Sequence, residues 1–234
     1  MSGVGVVAAL ASEARALGPS MPRGGRPIPL SELALLGDGA LLAVSGIGRA
    51  AAAAAANALV DAGASALMTF GMAGALDPAL KPGSVVLPRE LLSDGVRYSA
   101  DASWRERVAA ELSSSRAVSE GNLLTCDRAI DTPAHKSAAF HNTGAVAVDM
   151  ESAAVAEVAA KHNLPFIAVR VIVDTAADTL PRAVVAASRA GRVKIGKLIA
   201  GLIVAPSEIA ALIRLAQRYR VAIRCLRVIG PHLA

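Results

Sequence analysis

Short apolar runs alternate with stretches rich in small residues along the first three quarters of the chain. Residues 4–10 form an apolar run bounded by glycine and predict a first strand, with Glu13 and Arg15 just beyond it. Residues 18–29, rich in Gly and Pro, predict a loop. A second apolar run, 40–44, ends in Ser45-Gly46-Ile47-Gly48-Arg49, and an alanine-rich helix over 50–62 stops at Gly63, a natural C-cap. Residues 66–70 predict a third strand, ending at Gly71-Met72-Ala73-Gly74, and 84–88 a shorter one after Lys81-Pro82-Gly83. Polar sequence over 93–119 carries the only tryptophan and predicts a surface helix. Residues 145–148 read as a strand, 152–162 as a helix and 166–173 as a β-rich strand, with Asp174 where that strand ends. The remainder is helical, with breaks at Pro181, Gly191 and Pro206.

This alternation predicts an α/β fold of three layers, a mainly parallel central sheet flanked by helices. No internal repeat or linker divides the chain, so residues 1–234 are expected to form one domain with a basic helical C-terminal extension from about residue 180. In such sheets ligands bind beyond the carboxyl ends of the strands. Glu13, 45–49, 71–74, 149–151 and Asp174 all fall at such ends, and their convergence is the main argument for a site.

Composition narrows the class. Of 234 residues, 54% are hydrophobic but only 3% aromatic, so the core must be built from Ala, Val, Leu and Ile in close layers. Few aromatics also argue against nucleic-acid binding through stacked bases. Cys126 and Cys225 are isolated thiols with no metal-ligand spacing, and no metal or organic cofactor is expected. Without a signal-peptide pattern or a membrane-length apolar run, the expected location is the cytoplasm. The net charge of +5 is uneven: residues from Arg182 onward carry +9, the rest −4. In the tail, Ile209, Leu212, Ile213, Ala216, Ile223 and Leu226 form an apolar stripe, and Arg214, Arg218, Arg220, Arg224 and Arg227 supply charge. Such a helix suits peripheral contact with an anionic inner membrane face, or equally core packing or a subunit contact.

Four segments carry candidate chemistry. Gly46-Ile47-Gly48-Arg49-Ala50-Ala51 fits a form of the dinucleotide fingerprint, but the acid expected about 20 residues on is missing. The turn reads equally as a tight strand–helix connection, or as N–H groups beside Arg49 that hold a phosphate or ribose hydroxyl. Asp149-Met150-Glu151-Ser152 opens a helix; capping explains one acid, whereas a ribose site uses a carboxylate for the 2′ and 3′ hydroxyls and an apolar side chain against the sugar. Asp174 follows Val169-Arg170-Val171-Ile172-Val173. Desolvated there it is a neutral acid able to protonate a departing purine; solvated it is a loop carboxylate. Glu13 is a base for water, or simply a first-turn helix acid.

In order along residues 4–178, these segments resemble the superfamily of nucleoside phosphorylases and methylthioadenosine/S-adenosylhomocysteine nucleosidases. The matching pieces are Ala8-Ala9-Leu10-Ala11-Ser12-Glu13, Ser45 to Arg49, Gly71 to Gly74 with Lys81-Pro82-Gly83, Ala147 to Ala153, and Val169 to Asp174. The resemblance implies that Glu151 binds the ribose hydroxyls, Met150 lines the sugar, Asp174 faces N7 of the purine and, in the nucleosidase branch, Glu13 activates water. It implies a homo-oligomer, a dimer or larger. Two departures stand out: Met72 replaces a serine that many members place against phosphate or water, and Cys126-Asp127-Arg128-Ala129 replaces a segment carrying a base-stacking aromatic, leaving Phe70 or Phe140 for that role. The Asp127-Arg128 pair, Asp149 to Ser152, Leu180-Pro181 and the basic tail look like the hopanoid-associated phosphorylase branch. That branch implies loss of adenine from an adenosyl-hopane, a lipid nucleoside, with inorganic phosphate as co-substrate; Ser45, Gly46, Gly48 and Arg49, then Arg128 and Arg15, are the candidates to bind it. The alternatives are hydrolysis by a methylthioadenosine/S-adenosylhomocysteine-type nucleosidase, and a nucleotide-binding module without catalysis.

Overall fold

The computed structural model describes residues 3–18, 33–36, 39–113, 118–189 and 209–233; most of the predicted loop at 18–29 and the breaks at Gly191 and Pro206 lie outside them. Strands β1 (Val4–Ala8), β2 (Ala34–Leu35), β3 (Leu41–Val44) and β4 (Ala66–Ala75) build one half of a sheet, with β1 parallel to both β3 and β4. The other half comprises β5 (Val85–Val86), β6 (Glu90–Ser93), β7 (Val96–Ser99), β8 (Val118–Ser119), β9 (Asn122–Thr125), β10 (Ala145–Asp149) and β11 (Phe166–Asp174). The helices are α1 (Ala11–Ala14), α2 (Arg49–Asp61), α3 (Ala102–Ser113), α4 (Pro133–Thr143), α5 (Ser152–Lys161), α6 (Arg182–Arg189) and α7 (Ile209–Ile229). The predicted α/β architecture is present, with antiparallel pairs β2–β3, β6–β7, β10–β4 and β11–β5 added to a mainly parallel frame.

The long strand β4 organises the site. The sequence predicts that it stops at Phe70, but it runs on through Gly71-Met72-Ala73-Gly74, because β11 pairs with it in parallel from Leu67 to Gly74. Its other edge is shared. β1 pairs with Ala66 to Thr69, and antiparallel β10 pairs with Gly74 and Ala75. The carboxyl ends of β1 and β10 therefore point toward each other along one edge of β4, separated by about four residues of that strand. The cleft is this interruption in strand pairing.

Small residues close the layers, as composition predicts. Ala52, Ala55, Ala56 and Leu59 of α2 share one cluster with Ala154, Val155, Ala156 and Ala159 of α5. Phe70 and Trp104 are buried in a second cluster, so the polar stretch around the tryptophan contributes to the core rather than only to the surface. The C-terminal helix belongs to that cluster too. Ala222, Ile223, Cys225, Leu226 and Ile229 pack against the sheet, which accounts for Ile223 and Leu226 of the tail's apolar stripe, whereas Ile213 and Ala216 stay exposed. What α7 leaves in solvent is a basic face of Arg214, Arg220, Arg224 and Arg227, interspersed with Ile213, Val221 and Val228. Among the described residues no helix is long and apolar enough to cross a membrane.

Candidate active site

The gap between β1 and β10 opens into a cavity of about 200 Å³ lined by Glu13, Met72, Ala73, Gly74, Asp149, Met150, Glu151 and Asp174, with Ile47, Ala129, Ile130 and Leu180 among its apolar walls. Its volume lies below the ~300–1,000 Å³ usual for drug-sized ligands, which fits a small one. Glu151 and Asp174 thus share one cavity.

Glu13 reaches the gap from α1, directly after β1. Its Oε2 accepts the N–H of Leu10 (2.9 Å) and its Oε1 the N–H of Met72 (2.9 Å), so the side chain takes a donor on the open edge of β4 that a neighbouring strand would otherwise use. Gly71 makes the room: a Cβ there would stand 2.7 Å from Oε1 of Glu13. Gly74 does the same for Asp174, whose carboxylate oxygens both lie 3.2 Å from the position of a Cβ.

At the other wall the strand–helix junction is held from beneath. Asp149 Oδ1 accepts from Thr125 Oγ1 (2.7 Å), and Oδ2 accepts from the Ser152 N–H (3.1 Å) and Arg170 Nε (2.9 Å). Arg170 also donates to Ser152 Oγ (2.8 Å). Asp149, read from the sequence as a possible sugar ligand or a cap, is tied into this buried network and acts as the anchor. Glu151 is the acid that the junction presents. Its Oε1 accepts the N–H of Gly48 (2.8 Å). The φ of +104° at Gly48 is one that side chains rarely adopt, and it aims this N–H at the carboxylate.

The turn expected to hold phosphate has these other partners. Gly46 N–H donates to Ala9 O (3.0 Å) and Ser45 Oγ to Gly46 O (2.7 Å), while Gly48 serves Glu151. Arg49 is ion-paired with Asp94 and lies 3.6 Å from Asp127. Arg15 and Arg128 are exposed, although Ala129 and Ile130, next to Arg128, do line the cavity. Neither Phe70, in the core, nor Phe140, packed edge-on to His141, lines the cavity, so its apolar walls are aliphatic.

The electrostatics follow from Glu13, Asp149 and Glu151 gathered around the buried guanidinium of Arg170, with Asp174 held against Lys136. Burial pushes Glu13 above the usual carboxylate range, against the pull of Arg170 and of its N–H donors. Burial and then the neighbouring Asp149 push Glu151 up to about 7, opposed by Gly48 and Arg170. Burial also raises Asp174, against the ammonium of Lys136, a residue that sequence reasoning missed. The clue was its place on α4: Lys136 shares an inner stripe with Ala139 and Phe140, where an apolar residue is normal. Arg170 was likewise read only as part of a strand.

A stability prediction arises here. Because Glu151 titrates higher folded than unfolded, its contribution is fully present below about pH 4.5 and lost as pH rises through about 7. Glu151→Gln is therefore expected to be more stable than the native protein at pH 8.5, by about 2 kcal/mol, or roughly 4–8 °C in Tm, with little difference at pH 5. Equal Tm differences at the two pH values would show that the acid carries no such burden.

The C-terminal helix braces both acid-bearing segments. Arg218 pairs with Asp178, whose Oδ2 also accepts from the Thr175 N–H (2.8 Å) and hydroxyl (2.7 Å), and Tyr219 OH donates to Ser12 Oγ (2.7 Å) beside Glu13.

A sheet of this topology with acids gathered beyond its strand ends defines an α/β enzyme class, and residues 1–204 match the family described as the phosphorylase superfamily. The chain belongs to that superfamily. It is similar to a 5'-methylthioadenosine/S-adenosylhomocysteine nucleosidase of Tolumonas auensis, 29% identical over 168 residues that span 63% of this chain and 73% of the relative. Among solved structures, the nucleosidase of the same description from Neisseria meningitidis, in complex with methylthio-immucillin-A, superposes with a TM-score of 0.73 at 21% identity over 99% of this chain and 98% of that one. Futalosine hydrolase of Helicobacter pylori gives a TM-score of 0.68 at 16% identity over 97% of each chain. At these identities the structural likeness is one of fold. Among the described residues, no group of His, Cys, Asp and Glu is arranged to hold a metal ion.

Proposed function

We propose that the protein hydrolyses the N-glycosidic bond of an adenine nucleoside, using water activated by Glu13. The observation that carries this is the cavity's acid lining: Glu13, Glu151 and Asp174 all line it, while the buried cations Arg170 and Lys136 are engaged by acids of their own. Phosphate would find neither of these buried cations left to pair with it, whereas water meets a base in Glu13. Glu151 accepts hydrogen bonds from the ribose diol, and Met150 packs against the sugar. As the bond to the base lengthens, the ribose gains positive charge, which the nearby carboxylates stabilise where it develops. Glu13 takes the proton of the attacking water, and Asp174 gives one to N7, so that adenine leaves neutral. The Tolumonas relative is a nucleosidase by name, which supports hydrolysis over phosphorolysis.

Adenine release from methylthioadenosine or adenosine is expected to proceed at the same rate with and without added phosphate, with the free sugar (5-methylthioribose or ribose) rather than its 1-phosphate as the second product. Phosphate dependence with a phosphorylated sugar would turn the reading to phosphorolysis. That second reading, with an adenosyl-hopane-type lipid as substrate, draws support from the basic face of α7, whose Arg220, Arg224 and Arg227 flank exposed Val221 and Val228 as peripheral membrane contacts do.

A further inference from the structure

Lys136 is fully buried, at 0% exposure, on a helix whose other residues are half-buried or exposed. A lysine in such a place is costly unless its ammonium is fully engaged. Its Nζ donates to Oδ2 of Asp174 and to the backbone oxygen of Thr175 (2.7 Å), both at the carboxyl end of β11. The helix is fixed to deliver it there: Thr132 caps the N-terminus by accepting from the His135 N–H (3.2 Å), Pro133 begins the first turn, and Gly144 closes the other end in a left-handed conformation.

We propose that Lys136 is a positioning residue for the leaving-group proton: its ammonium clamps Oδ2 of Asp174, leaves Oδ1 to face the base, and stabilises the carboxylate that forms as the proton departs. This rests on the hydrolase reading above. When the bond between N9 and C1′ breaks, its electron pair stays with the purine. The proton of Asp174 moves to N7, and the carboxylate so formed lies against an ammonium that keeps all its own protons. A buried acid without such a partner resists ionising, and so donates poorly. Burial alone pushes Asp174 upward and Lys136 pulls it back, which makes it the stronger proton donor. The other charges near this group are Arg218 of α7 and its partner Asp178, with Glu13 and Glu151 on the far walls of the cavity.

The test compares the native enzyme with Lys136→Met and Lys136→Arg on two ribosides: an adenine nucleoside, and a 4-nitrophenyl riboside whose leaving group departs without a proton. For Lys136→Met, adenine release is expected to fall at least ~100-fold and the alkaline limb of kcat/KM to move up by about one pH unit. Nitrophenol release should change less than about threefold, since it needs no acid. Lys136→Arg, which keeps the charge, should recover a large part of adenine release. Equal losses on both substrates, or an unmoved alkaline limb, would show that Lys136 only braces the fold. Should Lys136→Met not fold, Lys136→Gln carries the same readouts. If the native enzyme releases no adenine from any nucleoside, the hydrolase reading falls and takes this one with it; adenine release with an unmoved limb removes this one alone.

Discussion

Replacing Asp174 by Asn is expected to lower adenine release by about 10³-fold while the protein stays folded and still binds the nucleoside. The residue lies at 4% exposure at the end of β11, where Lys136 can donate to an amide oxygen as it does to the carboxylate. The amide keeps the shape and has no proton of carboxylic acidity to give, so the purine must leave as an anion; loss of a general acid typically costs 10²–10⁴. The check is single-turnover adenine release, with binding followed separately by titration with a non-hydrolysable nucleoside analogue. Release within tenfold of native would mean that the leaving group draws its proton from elsewhere.

Glu13→Gln should be nearly as damaging, about 10²–10⁴ in kcat, but for a different reason. Gln can accept the Met72 N–H at Oε1, but the position that receives the Leu10 N–H would hold an amide donor, and no base would remain for water. A strong external nucleophile separates the two acids. Azide needs no deprotonation and, with Glu13 replaced by an amide, meets one acid fewer in the cavity, so it should restore turnover in Glu13→Gln with formation of a ribosyl azide, and should do nothing for Asp174→Asn. Rescue of neither variant would place the water-activating group outside α1. Alanine is the wrong substitution here, because it would strand the Met72 N–H at the interrupted edge of β4, at a cost of about 1–3 kcal/mol.

Much of this was legible in the sequence because period and punctuation agree there. The apolar runs that became β1, β3, β10 and β11 and the alanine-rich α2 are set by hydrophobic pattern and glycine caps, local features that tertiary packing did not override. The acids of the cavity stand out because charge at the end of an apolar run is unusual. The length of β4 was not legible: Gly71 to Gly74 looks like a loop until the partner strand β11 is known, since glycine weakens a strand without forbidding it. The antiparallel strands β6 and β7 went unread because each has only four residues, too few for a period to show before their pairing is known. Nor could spacing show that Asp149 is tied down while Glu151 is presented to the cavity, because the difference lies in Thr125 and Arg170, which come from other strands. Arg49 drew attention as an anion site through its motif, yet its partners Asp94 and Asp127 are 45 and 78 residues away in the chain.

The meeting of β1 and β10 along one edge of β4 also governs how such a protein can change. The two strands act like the jaws of a caliper whose opening is counted in residues. Adding or deleting one residue within either would move a jaw by about 3.3 Å and turn its side chains to the opposite face. Length variation that preserves chemistry must therefore avoid these two strands, and new substrate preference is free to arise from the aliphatic lining contributed by Ala129, Ile130 and Leu180, where side chains can be exchanged without resetting the gauge.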